Sequence, residues 1–154
     1  MKKIAFALCA AGALGLAPSS FAASHVGAEI CNPGGPSGQA AWFSYSTSGV
    51  QLDQEPLPVG LPSLQCVVPQ QLQHVSSVQF RGDNKGTSVF TCTARIAGTD
   101  NSTLASGSAS VAINTIQTKT INLNTTGMPR ITCNIPWRNP AGGVVSRLQW
   151  VSAQ

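Results

Sequence analysis

The sequence predicts an all-β fold: an antiparallel β-sandwich, or partly closed barrel, of about seven or eight short strands stapled by two disulfides. Three observations carry that expectation. Short runs rich in Val, Ile, Thr and aromatic residues recur between clusters of Gly, Pro, Asn and Asp. No run combines helical spacing with caps, and the rival helix over 109–123 is opposed by its many β-branched residues. Finally, Cys31, Cys66, Cys92 and Cys133 form an even set behind a leader-like segment that holds the fifth cysteine, Cys9. Such a set fits an exported, oxidised domain.

The elements follow in order. Lys2 and Lys3 precede an uncharged Ala/Leu-rich run from Ile4 to Leu16, broken by Pro18, and Ser20-Phe21-Ala22 offers small residues where a signal peptidase reads. A membrane-spanning helix would need about 20 apolar residues, and this run is shorter. The expected organisation is a signal peptide over 1–22, a flexible, loop-rich segment over 23–40, and a single disulfide-bonded β-domain over 41–154. No later run is long and apolar enough to cross a bilayer, so the mature chain is expected to carry no transmembrane segment.

Residues 32–40 hold two prolines and three glycines, which is loop chemistry. Ala41 to Ser48 reads as a strand, with Phe43 and Tyr45 on one face and Trp42 on the other. Asp53 to Ser63 is a proline-broken connector. Leu64 to Val68 is a short strand carrying Cys66. His74 to Phe80 and Thr87 to Ile96 read as a hairpin whose polar tip is 81–86. Its second arm alternates, with Phe90, Cys92, Ala94 and Ile96 on one face. Gly98 to Ser102 is a turn, Leu104 to Thr115 and Ile116 to Asn124 are strands, and Asn124 to Met128 is another turn. Ile131, Cys133, Ile135 and Trp137 alternate along the next strand. Leu148 and Trp150 share the inward face of the last. Cys92 and Cys133 therefore suit an inward, core-spanning bridge, which leaves Cys31 to pair with Cys66.

Charged residues make up only 9% of the chain. Beyond the leader, seven basic and five acidic residues leave a net charge of +2, with no Lys/Arg cluster. That excludes a nucleic-acid footprint. The chemical inventory is thin. Asp53 and Glu55 form a close carboxylate pair, but in a Pro-rich connector. No Gly-x-Ser-x-Gly elbow is present, and bridged cysteines offer no thiolate. Asp83-Asn84 and Asp100-Asn101 read as turn chemistry rather than calcium ligands. The reading leans away from an enzyme and expects no cofactor.

Candidate contact residues are Trp42 and Tyr45, as rings that could stack on sugar, and Arg81 and Asp83, which with Gly82 spell an integrin-recognition tripeptide at the expected hairpin tip. For metals, His25 and His74 are the only histidines. If cleavage exposed His25 as the N-terminus, its amine and imidazole with His74 would resemble the histidine brace of copper-dependent polysaccharide monooxygenases, which implies a copper protein.

The leading functional expectation is an exported, non-enzymatic β-domain acting by surface contact: a carbohydrate- or protein-binding module, or a small envelope component. It would be secreted or periplasmic in a bacterium. Chaperone–usher pilins resemble the chain in size, β-richness and disulfide use, which implies a structural pilus or fimbria subunit. Their near-terminal tyrosine is missing, since the chain ends Val151-Ser152-Ala153-Gln154. A secreted hydrolase inhibitor presenting 81–86 or 53–63 is a further alternative.

Overall fold

The computed structural model describes residues 24–27 (backbone only), 31–33, 43–52, 63–67, 72–136 and 146–154. Signal peptide 1–22, Trp42, the carboxylates Asp53 and Glu55, Trp137 and the 140–143 break lie outside the described residues. The described chain forms ten strands. They are β1 (Ser24–Gly27), β2 (Cys31–Pro33), β3 (Phe43–Ser46), β4 (Gly49–Leu52), β5 (Ser63–Val67), β6 (Gln73–Asn84), β7 (Phe90–Ala97), β8 (Thr103–Val111), β9 (Thr115–Asn134) and β10 (Arg147–Ala153). Among the described residues no helix is long and apolar enough to cross a membrane.

All pairings are antiparallel, and they form two layers. In the front layer β10 is central: β6 lies along one edge, while β4 and β1 share the other. β3 extends this layer beyond β4, and the first part of β9 extends it beyond β6. In the back layer the last part of β9 is central, between β5 and β7, with β2 and β8 outermost. The twenty-residue β9 thus belongs to both layers, which makes the molecule a nearly closed sandwich.

Alternation decides which side chains the layers enclose. Phe90, Cys92, Ala94 and Ile96 of β7 are fully buried, and so are Ile131 and Cys133 of β9. Opposite them, Val75, Val78 and Phe80 of β6 and Leu148 and Val151 of β10 close the core. Phe80 and Phe90 meet across the layers with ring centroids 6.1 Å apart, within the usual range for paired aromatic rings. The disulfides are Cys31–Cys66 and Cys92–Cys133, the expected pairs. Each joins register partners on neighbouring strands of the back layer, with Cα atoms 4.0 Å apart. They are cross-strand staples facing the core, rather than bridges spanning it.

Several local expectations give way to long-range packing. The hairpin expected over 74–96 does not form, because β6 pairs with β9 and β10 while β7 pairs with β8 and β9. The 85–89 link is an arch from one layer to the other. Fully buried Asn84 organises it, donating to the carbonyls of Ser88 and Val111 and accepting from the Gly86 N–H. The turn expected over 124–128 is the middle of β9. Asn124 adopts φ 47°, and a Cβ on Gly127 would stand 2.7 Å from the Ala97 carbonyl oxygen, so turn residues serve here to bend one strand between layers. Within 23–40, read as loop-rich, β1 pairs with β10 and β2 with β5. Short edge strands of this kind rest on backbone hydrogen bonds and a disulfide, neither of which needs a hydrophobic pattern.

Candidate functional site

The outward face of the front layer is a polar carpet built by register. One row across it runs Gln51 on β4, Arg147 on β10, Asp83 on β6 and Ile116 on β9. The next runs from the Gly27 backbone through Trp150 and Arg81 to Thr118. In the third a fully buried Ser152 pairs with the β1 backbone on one side and with Gln79 on the other, Thr120 lying beyond. The outward positions of β9 in these rows are Ile, Thr and Thr, all exposed.

Trp150 reaches this face through a β-bulge. Leu148 pairs with inward-facing Gly82, and regular alternation would send Trp150 the same way. The ladder shifts between Leu148 and Trp150, so Gln149 is the extra residue and Trp150 pairs with outward-facing Arg81. The indole is half-buried on the carpet, while Val151 returns to the core. Gly27, its partner on β1, adds no side chain to that flank.

The basic side chains around the ring are held by amides. Arg81 donates from Nε to Gln149 Oε1 at 2.7 Å, and Arg147 donates from Nε to Gln51 Oε1 at 2.8 Å. Each pair fixes a guanidinium while leaving its terminal N–H groups for other acceptors. Further along, Gln79 donates to Gln154 Oε1 at 3.3 Å, and Gln154 itself is tied to Ser76 and Ser77. Asp83 turns toward Lys85, whose Nζ is 3.6 Å from Oδ1. A half-buried indole ringed by fixed amide and guanidinium donors can stack on a flat apolar face and satisfy hydroxyl groups at its rim.

The candidate residues from the sequence are spread over the fold. Arg81 and Asp83 lie on the carpet, two residues apart on β6. The tripeptide that contains them is not at a hairpin tip: it is embedded between β10 and β9, with Gly82 pointing inward, where a Cβ would stand 2.7 Å from Phe90 Cε1. Display of that tripeptide as a loop is therefore overturned. Tyr45 is on edge strand β3, 42% exposed and on the face of Phe43 rather than on the carpet. Partial burial raises its phenol above the ordinary 10.0.

His74 sits beside Asn124, Nε2 to Oδ1 at 3.2 Å. His25 pairs with Ser152, which pairs with Gln79, five residues along β6 from His74. Strand rise and spacing put the two histidine backbones about 18 Å apart, so they do not share a metal. Among the described residues no three His, Cys, Asp or Glu side chains cluster. Asp83 and Asp100 lie at opposite ends of the sandwich, and Asp100 serves its own turn, accepting from the Ser102 N–H and hydroxyl. Those bonds hold its carboxyl below the ordinary carboxylate value. Trp150 is the residue that sequence reasoning missed: alternation from Leu148 assigns it to the core, and one inserted residue reverses the assignment.

No family model matches the sequence, and no curated protein matches it. Solved structures do. The fold is similar to the CBM36-1 domain of a multidomain xylanase from the hindgut metagenome of Trinervitermes trinervoides, with a TM-score of 0.52 at 16% identity over 86% of this chain and 96% of that one. It is similar also to CBM86, a low-affinity xylan-binding module from the gut symbiont Roseburia intestinalis, with a TM-score of 0.53 at 13% identity over 86% and 94% of the two chains. The architecture of this chain is thus an antiparallel β-sandwich, the fold of both of those domains.

Proposed function

We propose that this chain is an exported, non-enzymatic carbohydrate-binding module that holds a polysaccharide on the outward face of its front layer. One observation carries the reading: the Gln149 bulge turns Trp150 out of the core and sets it among the Arg81–Gln149 and Arg147–Gln51 pairs. A strand that abandons alternation to bring an indole to the surface gives up part of the burial of a large apolar side chain. Stacking on a sugar ring, with hydroxyl groups hydrogen-bonded at the rim, recovers that loss. The sandwich shared with a xylan-binding module supports the choice of ligand class, and the leader-like residues 1–22 with two disulfides support export.

Affinity electrophoresis through gels containing soluble xylan tests the reading, with pull-down on insoluble cellulose beside it. Wild-type protein is expected to be retarded by at least one polysaccharide. Trp150→Ala is expected to weaken that retardation about tenfold, the size of one lost stacking contact. Tyr45→Ala, on the other face of an edge strand, is expected to change it much less. Unretarded wild-type protein in every gel, or full binding by a folded Trp150→Ala variant, sinks the proposal.

A further inference from the structure

The back layer carries an arrangement that the front-face reading does not use. Arg95 on β7 and Arg130 on β9 are register partners, directly opposite one another and both exposed. Like charges placed opposite in a sheet are destabilising, so the pairing calls for an explanation. No ion pair or hydrogen bond to either guanidinium occurs among the described residues. Their neighbours in register are uncharged: Ser106 on β8 beside Arg95, and Thr93, Thr132 and Gln65 in the adjoining row.

The arginines are also held in place. Cys92 and Cys133 are joined three residues along the same two strands, so the register that opposes Arg95 to Arg130 is covalently locked. Counting from that close pair, alternation makes Arg95–Arg130 a hydrogen-bonded pair with Cα atoms about 5.5 Å apart. The two side chains, with Gln65 and Thr132, line a cleft of about 140 Å3 above Cys66 and Ile131. That is smaller than the roughly 300 Å3 at which small-molecule pockets begin, so it suits one functional group rather than a whole ligand.

We infer that Arg95 and Arg130 form a subsite for a sugar carboxylate, so that the module prefers a polysaccharide bearing uronic acid residues. Two guanidinium forks side by side match the two oxygens of a planar carboxylate. Gln65 and Thr132 supply donors and acceptors for hydroxyl groups of the same sugar. The anion removes the repulsion between the arginines, which is why a bound carboxylate stabilises an otherwise unfavourable pair. The inference rests on the carbohydrate-binding reading, but it places the charged group on the opposite layer from Trp150.

The test measures retardation in gels of glucuronoxylan, the same polymer after reduction of its carboxyl groups, and dextran sulfate. Wild-type protein is compared with Arg95→Gln/Arg130→Gln, Arg95→Lys/Arg130→Lys and Trp150→Ala. The wild type is expected to bind the carboxylated polymer about tenfold more tightly than the reduced one. The glutamine double variant should lose that difference and keep its binding to the reduced polymer. The lysine double variant should lose most of it, since it keeps charge but not the fork. Trp150→Ala should weaken binding to both polymers and leave their ratio unchanged. If wild-type protein ignores the reduced polymer yet still binds the carboxylated one through these arginines, the front-face reading fails and the subsite stands. Equal binding of reduced and carboxylated polymer overturns the subsite, as does arginine-dependent capture of dextran sulfate at equal strength.

Discussion

The two outward faces of this sandwich use arginine in opposite ways. On the front layer each arginine is tied to a glutamine, Arg81 to Gln149 and Arg147 to Gln51, around a half-buried indole. On the back layer Arg95 and Arg130 oppose one another beside short hydroxyl side chains. The layers also differ in what holds them. Both disulfides staple the back layer, while the front layer relies on its ladders and on the apolar side chains beneath. The lesson concerns cost: a face that sets two arginines directly opposite needs its register fixed, and a face whose arginines are each held by a glutamine does not.

The largest way to break this contrast is to remove the staple. Replacing Cys92 and Cys133 by alanine frees a loop of sequence separation 41, and the lost closure entropy corresponds to about 4 kcal/mol. That is a large share of a small domain's net stability. Urea unfolding should show a midpoint lowered accordingly, and the strands carrying Arg95 and Arg130 should lose amide protection before the front layer does. Equal loss of protection in both layers would show that the staple serves the whole fold and not that face.

Next in size is the seam between the layers. Gly82 points inward from the carpet strand, where a Cβ would meet Phe90 Cε1 at 2.7 Å and Val111 Cγ2 at 3.2 Å. Gly82→Ala should therefore cost about 1–3 kcal/mol through overpacking, read as a lower melting temperature. Arg81→Ala, its outward neighbour, should leave stability nearly unchanged. Similar losses for the two variants would contradict the inward and outward assignment along β6.

How much of this was legible in the sequence is clearest from paired residues. Cys92 and Cys133 could be assigned to inward faces, and so to one another, because each lies in an unbroken alternating run. Trp150 could not, because Gln149 breaks the alternation and a bulge leaves no local mark in the residue pattern. The β-rich runs over 74–80 and 87–96 were visible, yet their partners were not, and 81–84 was read as a hairpin tip rather than as the end of β6. Pairing is chosen by which faces bury one another across the whole chain, and a polar link serves an arch as well as a hairpin. The opposition of Arg95 and Arg130 was equally hidden, since it follows from the register of two distant strands. The candidate front face was half visible: Arg81 stood out as part of a tripeptide, but for display at a tip that the fold does not make.

A smaller effect sharpens the front face itself. Gln149 is the bulge residue and also the acceptor for Arg81 Nε. Gln149→Ala keeps the residue count, and so the bulge and the outward Trp150, but frees the guanidinium. Polysaccharide binding should weaken by about fivefold, the size of one lost orienting hydrogen bond, while the melting curve stays where it was. Unchanged binding would mean that Trp150 acts alone and that the amide–arginine pairs are incidental.

The smallest expected effect has the opposite sign. Arg130→Glu turns the opposed arginines into an oppositely charged cross-strand pair, which should stabilise the domain by about 0.5 kcal/mol or somewhat more. Because both positions are exposed, the gain should shrink at high salt as the Debye length falls. The same substitution removes the site for a carboxylate, so preference for an acidic polysaccharide should vanish as stability rises. A position where the better-folded variant is the poorer binder is one where the wild-type charge answers to a ligand rather than to the fold. If Arg130→Glu instead lowers the melting temperature, Arg130 makes a contact that stabilises the back layer, and the contrast between the two faces loses its electrostatic basis.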